Sequence, residues 1–114
     1  MFNNLDAVAS FTYQRTAVCF CGHTHVPMVF VREDGVRRDP SEHIRVEPGK
    51  KYFINAGSVG QPRDGNWRAA YCIYDVDNNL VELLRVKYDL ATAQKKITKL
   101  GLPRLLAERL AMGR

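Results

Sequence analysis

The apolar positions of this chain change period along its length, and the changes divide it into elements. Leu5, Val8 and Phe11 recur every three residues, with Asn3 or Asn4 placed to cap, which predicts a short helix with one apolar stripe. An unbroken run, Ala17–Cys21, predicts a buried strand, and Pro27–Arg32 a second. Glu33-Asp34-Gly35 is a hairpin turn into a weak strand, Val36–Arg38. His43–Val46 alternates polar with apolar, as a half-buried strand does, and Pro48-Gly49 turns the chain into a further strand at Lys51–Ile54. Ala69–Val76 and Leu80–Tyr88 flank Asp77-Asn78-Asn79, whose composition tolerates positive φ, so the three segments form a hairpin. The period then becomes helical. Asp89 caps a helix with Leu90, Ala93, Ile97 and Leu100 inward, stopped by Gly101. Pro103 opens another, with Leu105, Leu106 and Leu110 inward. The predicted class is α+β: an antiparallel-rich sheet with C-terminal helices covering one of its faces.

Composition narrows the setting. The 114 residues allow one domain at most, and 46% apolar content is ordinary for a globular chain. No apolar run approaches the roughly 18 residues of a membrane span, and no basic-then-apolar leader is present. The expected location is the cytoplasm, with no membrane partner. Three cysteines, an odd number, argue against a disulfide framework. Met1 fits either a true start or an internal methionine. The net charge of +5 belongs wholly to Lys95–Arg114, and the rest of the chain is neutral. Residues 89–114 therefore read as a helical, basic tail. No aromatic residue interleaves with those charges, which favours a solvated helix face over a nucleic-acid surface.

Candidate chemistry sits where the first strand ends. Gly22 allows a sharp exit, and His23 and His25 follow before Pro27 closes the segment. Imidazoles at i and i+2 cannot share a helix face, but on a turn past a strand end both can converge on neighbouring ions. Cys19, Cys21, His23 and His25 also alternate, offering a four-ligand zinc set. Side chains in a straight row lie about 7 Å apart, too far for one tetrahedral ion with bonds near 2.0–2.3 Å. A second strand end, Asn55-Ala56-Gly57-Ser58, leads into a long connection, Val59–Trp67, with Arg63 at its centre. Arg63 can offer a bidentate fork to phosphate oxygens, pair with Asp64, or face water. Trp67 is expected to pack under this loop. His43 shares a polar strand face with Arg45 and is not a ligand candidate.

Gly22-His23-Thr24-His25-Val26-Pro27, followed by Asn55-Ala56-Gly57-Ser58-Val59-Gly60-Gln61-Pro62-Arg63-Asp64-Gly65-Asn66, resembles the calcineurin-like metallophosphoesterases, most of all their bacterial and archaeal phosphodiesterase branch. The strand Arg68–Asp75 and the tail from Tyr88-Asp89 to Gly101-Leu102-Pro103 fit the same family's C-terminal end. The resemblance implies two-metal hydrolysis of a phosphodiester or phosphomonoester, with in-line attack at phosphorus. It implies that His23 and His25 are metal ligands, one for each ion, and that no catalytic residue beyond such ligands is present. Asn55 and Arg63 are the candidates for substrate binding. The implied cofactors are divalent ions, manganese first and iron, zinc or nickel after it.

The family builds its dinuclear site from D-x-H, G-D, G-N-H, a further histidine and then G-H-x-H. Only the last is found here; Gly65-Asn66-Trp67 is the nearest to G-N-H and lacks its ligand. The chain thus looks like the C-terminal half of such an enzyme, a partial domain resembling one half of the family's helix-flanked β-sandwich. Two neutral ligands imply at most one weakly held ion. The expected partner is the missing N-terminal half, or a second copy bound through an exposed sheet face. A non-catalytic binding module derived from the same fold is the alternative.

Overall fold

A computed structural model describes residues 3–114, so Met1 lies outside the described residues. The elements run α1 (Asn4–Tyr13), β1 (Val18–Cys21), β2 (Met28–Arg32), β3 (Val36–Asp39), β4 (His43–Arg45), β5 (Lys51–Asn55), β6 (Ala69–Asp75), β7 (Leu80–Val86), α2 (Leu90–Lys99) and α3 (Arg104–Met112). The class is α+β with antiparallel-rich sheets and C-terminal helices, as the pattern predicts.

The strands form two sheets, ordered β1-β5-β2-β3 and β4-β7-β6. Only β1 and β5 run parallel, with Cys21 level with Asn55; the other pairs are antiparallel. This corrects the expectation that the chain supplies mainly one layer of a sandwich. Val29, Val31, Tyr52 and Ile54 from the first sheet share a core with Ile44 and Val81 from the second and with Val46 just beyond β4. The reason is visible in β2, where Met28 to Val31 are all buried. Val29 and Val31 enter the core between the sheets, whereas Met28 and Phe30 lie under α1 with Ala7 and Phe11. A strand covered on both faces needs a continuous apolar run, and that is what the sequence carries.

α1 begins with a capping box: the Asn3 side chain accepts from Asp6 N at 3.0 Å, and the Asp6 carboxylate accepts from Asn3 N at 3.0 Å. Its buried stripe is Ala7 and Phe11, not Leu5, Val8 and Phe11, because the i, i+4 pair faces the sheet while Leu5 stands 79% exposed. The Phe53 ring meets Phe11 edge-on at 6.2 Å.

The C-terminal helices also depart from expectation. α2 and α3 pack on each other, with Gln94 Nε2 donating to Ala107 O at 2.9 Å, and neither closely approaches a strand. Asp89 caps α2 by accepting from Thr92 N at 3.1 Å, and Gly101 at φ 75° ends the turn beyond it. In α3, Ala107 and Leu110 are buried while Leu105 and Leu106 are exposed. What fixes this helical hairpin is its far end: Gly65 N donates to Gly113 O at 3.0 Å, and Gln61 Nε2 to Arg114 O at 3.2 Å. The hairpin therefore stands beside the sandwich, giving a molecule 51 Å long and 20 Å thick. Among the described residues no helix is long and apolar enough to cross a membrane.

Candidate metal site

The parallel pairing of β1 and β5 sets two strand ends side by side, and Ala56 N donates to Cys21 O at 3.3 Å where both chains leave the sheet. The sequence assigns the backbone freedom of this exit to Gly22. In the structure it is the histidines that adopt left-handed backbone, His23 at φ 75° and His25 at φ 61°. Residues with a Cβ rarely adopt that conformation, and two within three positions require a scaffold that holds them there. Pattern reasoning gives no sign of this.

The scaffold is Asn55. Its side chain is buried, and Nδ2 donates to Gly22 O at 3.0 Å and to Thr24 Oγ1 at 2.8 Å. Its Oδ1 accepts from Gly57 N at 2.9 Å. The whole amide is thus engaged in tying the end of β5 to the loop after β1. Gly57 has φ 84°, and a Cβ there would lie 2.8 Å from Pro27 Cγ and 2.9 Å from Ala70 Cβ.

A second tie comes from the connection after β5. His25 Nδ1 lies 2.8 Å from Gln61 O, and Arg63 N donates to His25 O at 3.0 Å. A carbonyl oxygen can only accept, so Nδ1 carries the proton and the lone pair of Nε2 is free. A ring pinned in this way has the tautomer and the fixed orientation of a metal-ligating histidine. The group that fixes it is a backbone carbonyl, which leaves no mark in sequence; Gln61 was missed for that reason.

His23 is exposed and lines a surface pocket with Thr24, Val26, Met28 and Arg63. The structure thus brings His23 and Arg63 to one hollow. Arg63 Nη2 donates to Gln61 Oε1 at 3.3 Å and not to Asp64, whose carboxylate pairs with Arg85 Nη2. Trp67 packs on Tyr88, with ring centroids 5.6 Å apart. Among the described residues, no cluster of three or more His, Cys, Asp and Glu side chains is placed to hold a metal. The alternating cysteines and histidines are therefore not gathered on one ion. Burial, and then the neighbouring Cys19, push the Cys21 thiol up to about 11, which leaves it protonated and a poor ligand at neutral pH.

A family model for the calcineurin-like phosphoesterase superfamily domain matches residues 2–79. The chain belongs to that superfamily. It is 46% identical over 95 residues to an uncharacterized protein of Methanocaldococcus jannaschii, an alignment spanning 83% of this chain and 39% of that protein. Its structure superposes on the crystal structure of a metallophosphoesterase from Sphaerobacter thermophilus with a TM-score of 0.87 and 37% identity. That match covers 100% of this chain and 50% of the Sphaerobacter chain. The calcineurin-like chain described here thus spans half or less of the length of the relatives it matches.

Proposed function

We propose that this chain carries the histidine-loop share of a metal-dependent phosphoesterase site, as part of a larger domain. The observation that carries the reading is the bond between His25 Nδ1 and Gln61 O, which presents Nε2 as a ligand from a rigid loop. His23 and His25 would hold divalent ions, manganese first among them. An ion held there would supply positive charge against the phosphoryl oxygens and activate water. Arg63, in the hollow with His23, offers its guanidinium to a phosphate oxygen, and its weak bond to Gln61 Oε1 is easily exchanged. Asn55 serves the substrate indirectly, by holding the loop in place. The substrate class is a phosphodiester or a phosphomonoester.

The two histidines lack carboxylate company among the described residues, which supports at most weak retention of one ion by this chain. The same observation favours a second reading, a binding module derived from the fold. Titration calorimetry with manganese separates them. We expect one weak site, lost in His23→Ala and in His25→Ala. Binding that survives both substitutions would remove the metal-site reading, and two tight sites would show that this chain alone suffices. Hydrolysis of bis(p-nitrophenyl) phosphate by the chain alone should not exceed that of free manganese.

A further inference from the structure

The helical hairpin ends in leucines that face water. At its base, Gly113 O accepts from Gly65 N and Arg114 O from Gln61 Nε2. α3 has nine residues, so its opposite end lies about 13 Å from those bonds at 1.5 Å per residue. Neither helix closely approaches a strand, and the turn joining them, Leu100 to Leu105, therefore stands clear of the sandwich. Leu100, Leu102 and Leu105 are 77%, 46% and 58% exposed on this tip. Leucines left in water side by side, with polar residues around them, mark a surface that binds something.

The surrounding charge indicates the partner. Lys96 and Lys99 close α2 and Arg104 opens α3, with Lys95 and Arg109 on the same two helices. Among the described residues, the three lysines form no ion pair, and Arg104 alone meets an acid, Glu108 at 2.9 Å. The chain's whole excess of +5 lies in this stretch, Lys95–Arg114. A second copy would set one such excess against another. Nucleic acid would find no aromatic ring among these charges on which to stack a base.

The order of apolar and basic residues matches a bilayer surface. Lys96 lies one turn behind Leu100, about 6 Å along the helix. Apolar side chains of a surface-bound element enter the headgroup and acyl boundary by about 5–10 Å, and lysine stems reach back from there to the phosphates. We infer that the Leu100–Leu105 tip docks on an anionic phospholipid surface. Its leucines enter the interface, and Lys95, Lys96, Lys99 and Arg104 meet the lipid phosphates. The expectation of no membrane partner rests on the lack of an apolar span and of a leader, and a docked tip needs neither. The inference does not depend on the metal site, which adjoins the opposite end of the hairpin.

Vesicle flotation of the full chain in a chelator tests the docking without metal. Binding to equimolar phosphatidylglycerol and phosphatidylcholine should exceed binding to phosphatidylcholine alone by roughly tenfold or more, and added salt should release it. Lys96→Gln with Lys99→Gln should weaken binding by roughly tenfold. Leu100→Ser with Leu105→Ser should do the same at unchanged charge, by roughly tenfold or more. Leu5→Ser, on the exposed side of α1, should leave binding unchanged. If circular dichroism shows the leucine pair unfolded, Leu102→Ser takes its place. Soluble glycerophosphoglycerol should not compete, since the headgroup without its acyl chains offers the leucines nothing to enter. Equal binding to neutral vesicles, binding kept by the folded leucine variant, displacement by the soluble headgroup, tighter binding to single-stranded RNA, or a self-dimer that buries the tip would each overturn the inference.

Discussion

The histidine loop is held by residues that do no chemistry themselves. Asn55 satisfies three backbone and side-chain groups at once, so Asn55→Ala strands Gly22 O and Gly57 N. These bonds are only part-buried, so each is worth about 0.5–1.5 kcal/mol, and the loss in urea-unfolding stability should be about 1–3 kcal/mol. Gly57→Ala meets two obstacles, a left-handed backbone costing about 1–2 kcal/mol and a Cβ that would overlap Pro27. We expect a similar drop in urea midpoint, with manganese affinity falling in parallel as the loop loosens. Arg63→Lys keeps the charge but not the fork, and should weaken binding of inorganic phosphate, followed by titration, without altering the fold. At this scale the sequence displays the candidate ligands, because His23 and His25 stand together after Gly22 at a strand end. It hides what positions them, because one tie is a buried amide and the other a main-chain carbonyl.

Element boundaries were legible wherever a local signal marked them. Asn3 with Asp6, Asp89 with Thr92, and Asn79 at φ 52° each act where turn and cap chemistry predicts. The faces of the helices were not legible, because a period of three fits more than one face and only the tertiary partner chooses. Leu5 and Leu105 point outward for this reason. The α2 cap also carries a pH dependence. The side chain and then the backbone N–H of Thr92 donate to Asp89 and hold its carboxyl below the usual aspartate range. A pKa depressed by folding contributes stability above the unfolded value, near 3.9, that is lost as pH falls through the lower folded value. Helicity followed by amide shifts of α2 should therefore decline below about pH 4, and in Asp89→Ala the helix should already be frayed at neutral pH with that acid step gone.

For the whole molecule, the two-layer core predicts cooperative urea unfolding of the chain by itself, since Val29, Val31, Ile54 and Val81 are sealed between the sheets. The apolar residues exposed on the outer strands β1 and β6, Phe20 and Ile73, predict a second property: light scattering that rises with concentration. A strictly monomeric chain at all concentrations would count against it. The sequence alone suggested one layer because a run such as Ala17–Cys21 does not say which sheet it joins; that is decided by pairings thirty or more residues apart, as between Cys21 and Asn55. The last residues of the chain carry a further meaning. Gly113 sits at φ 65°, where an added methyl would fall 2.5 Å from Asn66 N, and Arg114 O holds the Gln61 side chain. The same Gln61 fixes the proton on His25. Any change that displaces Gly113 or Arg114 is thus a perturbation delivered to an imidazole in the candidate metal loop, some fifty residues or more away in sequence.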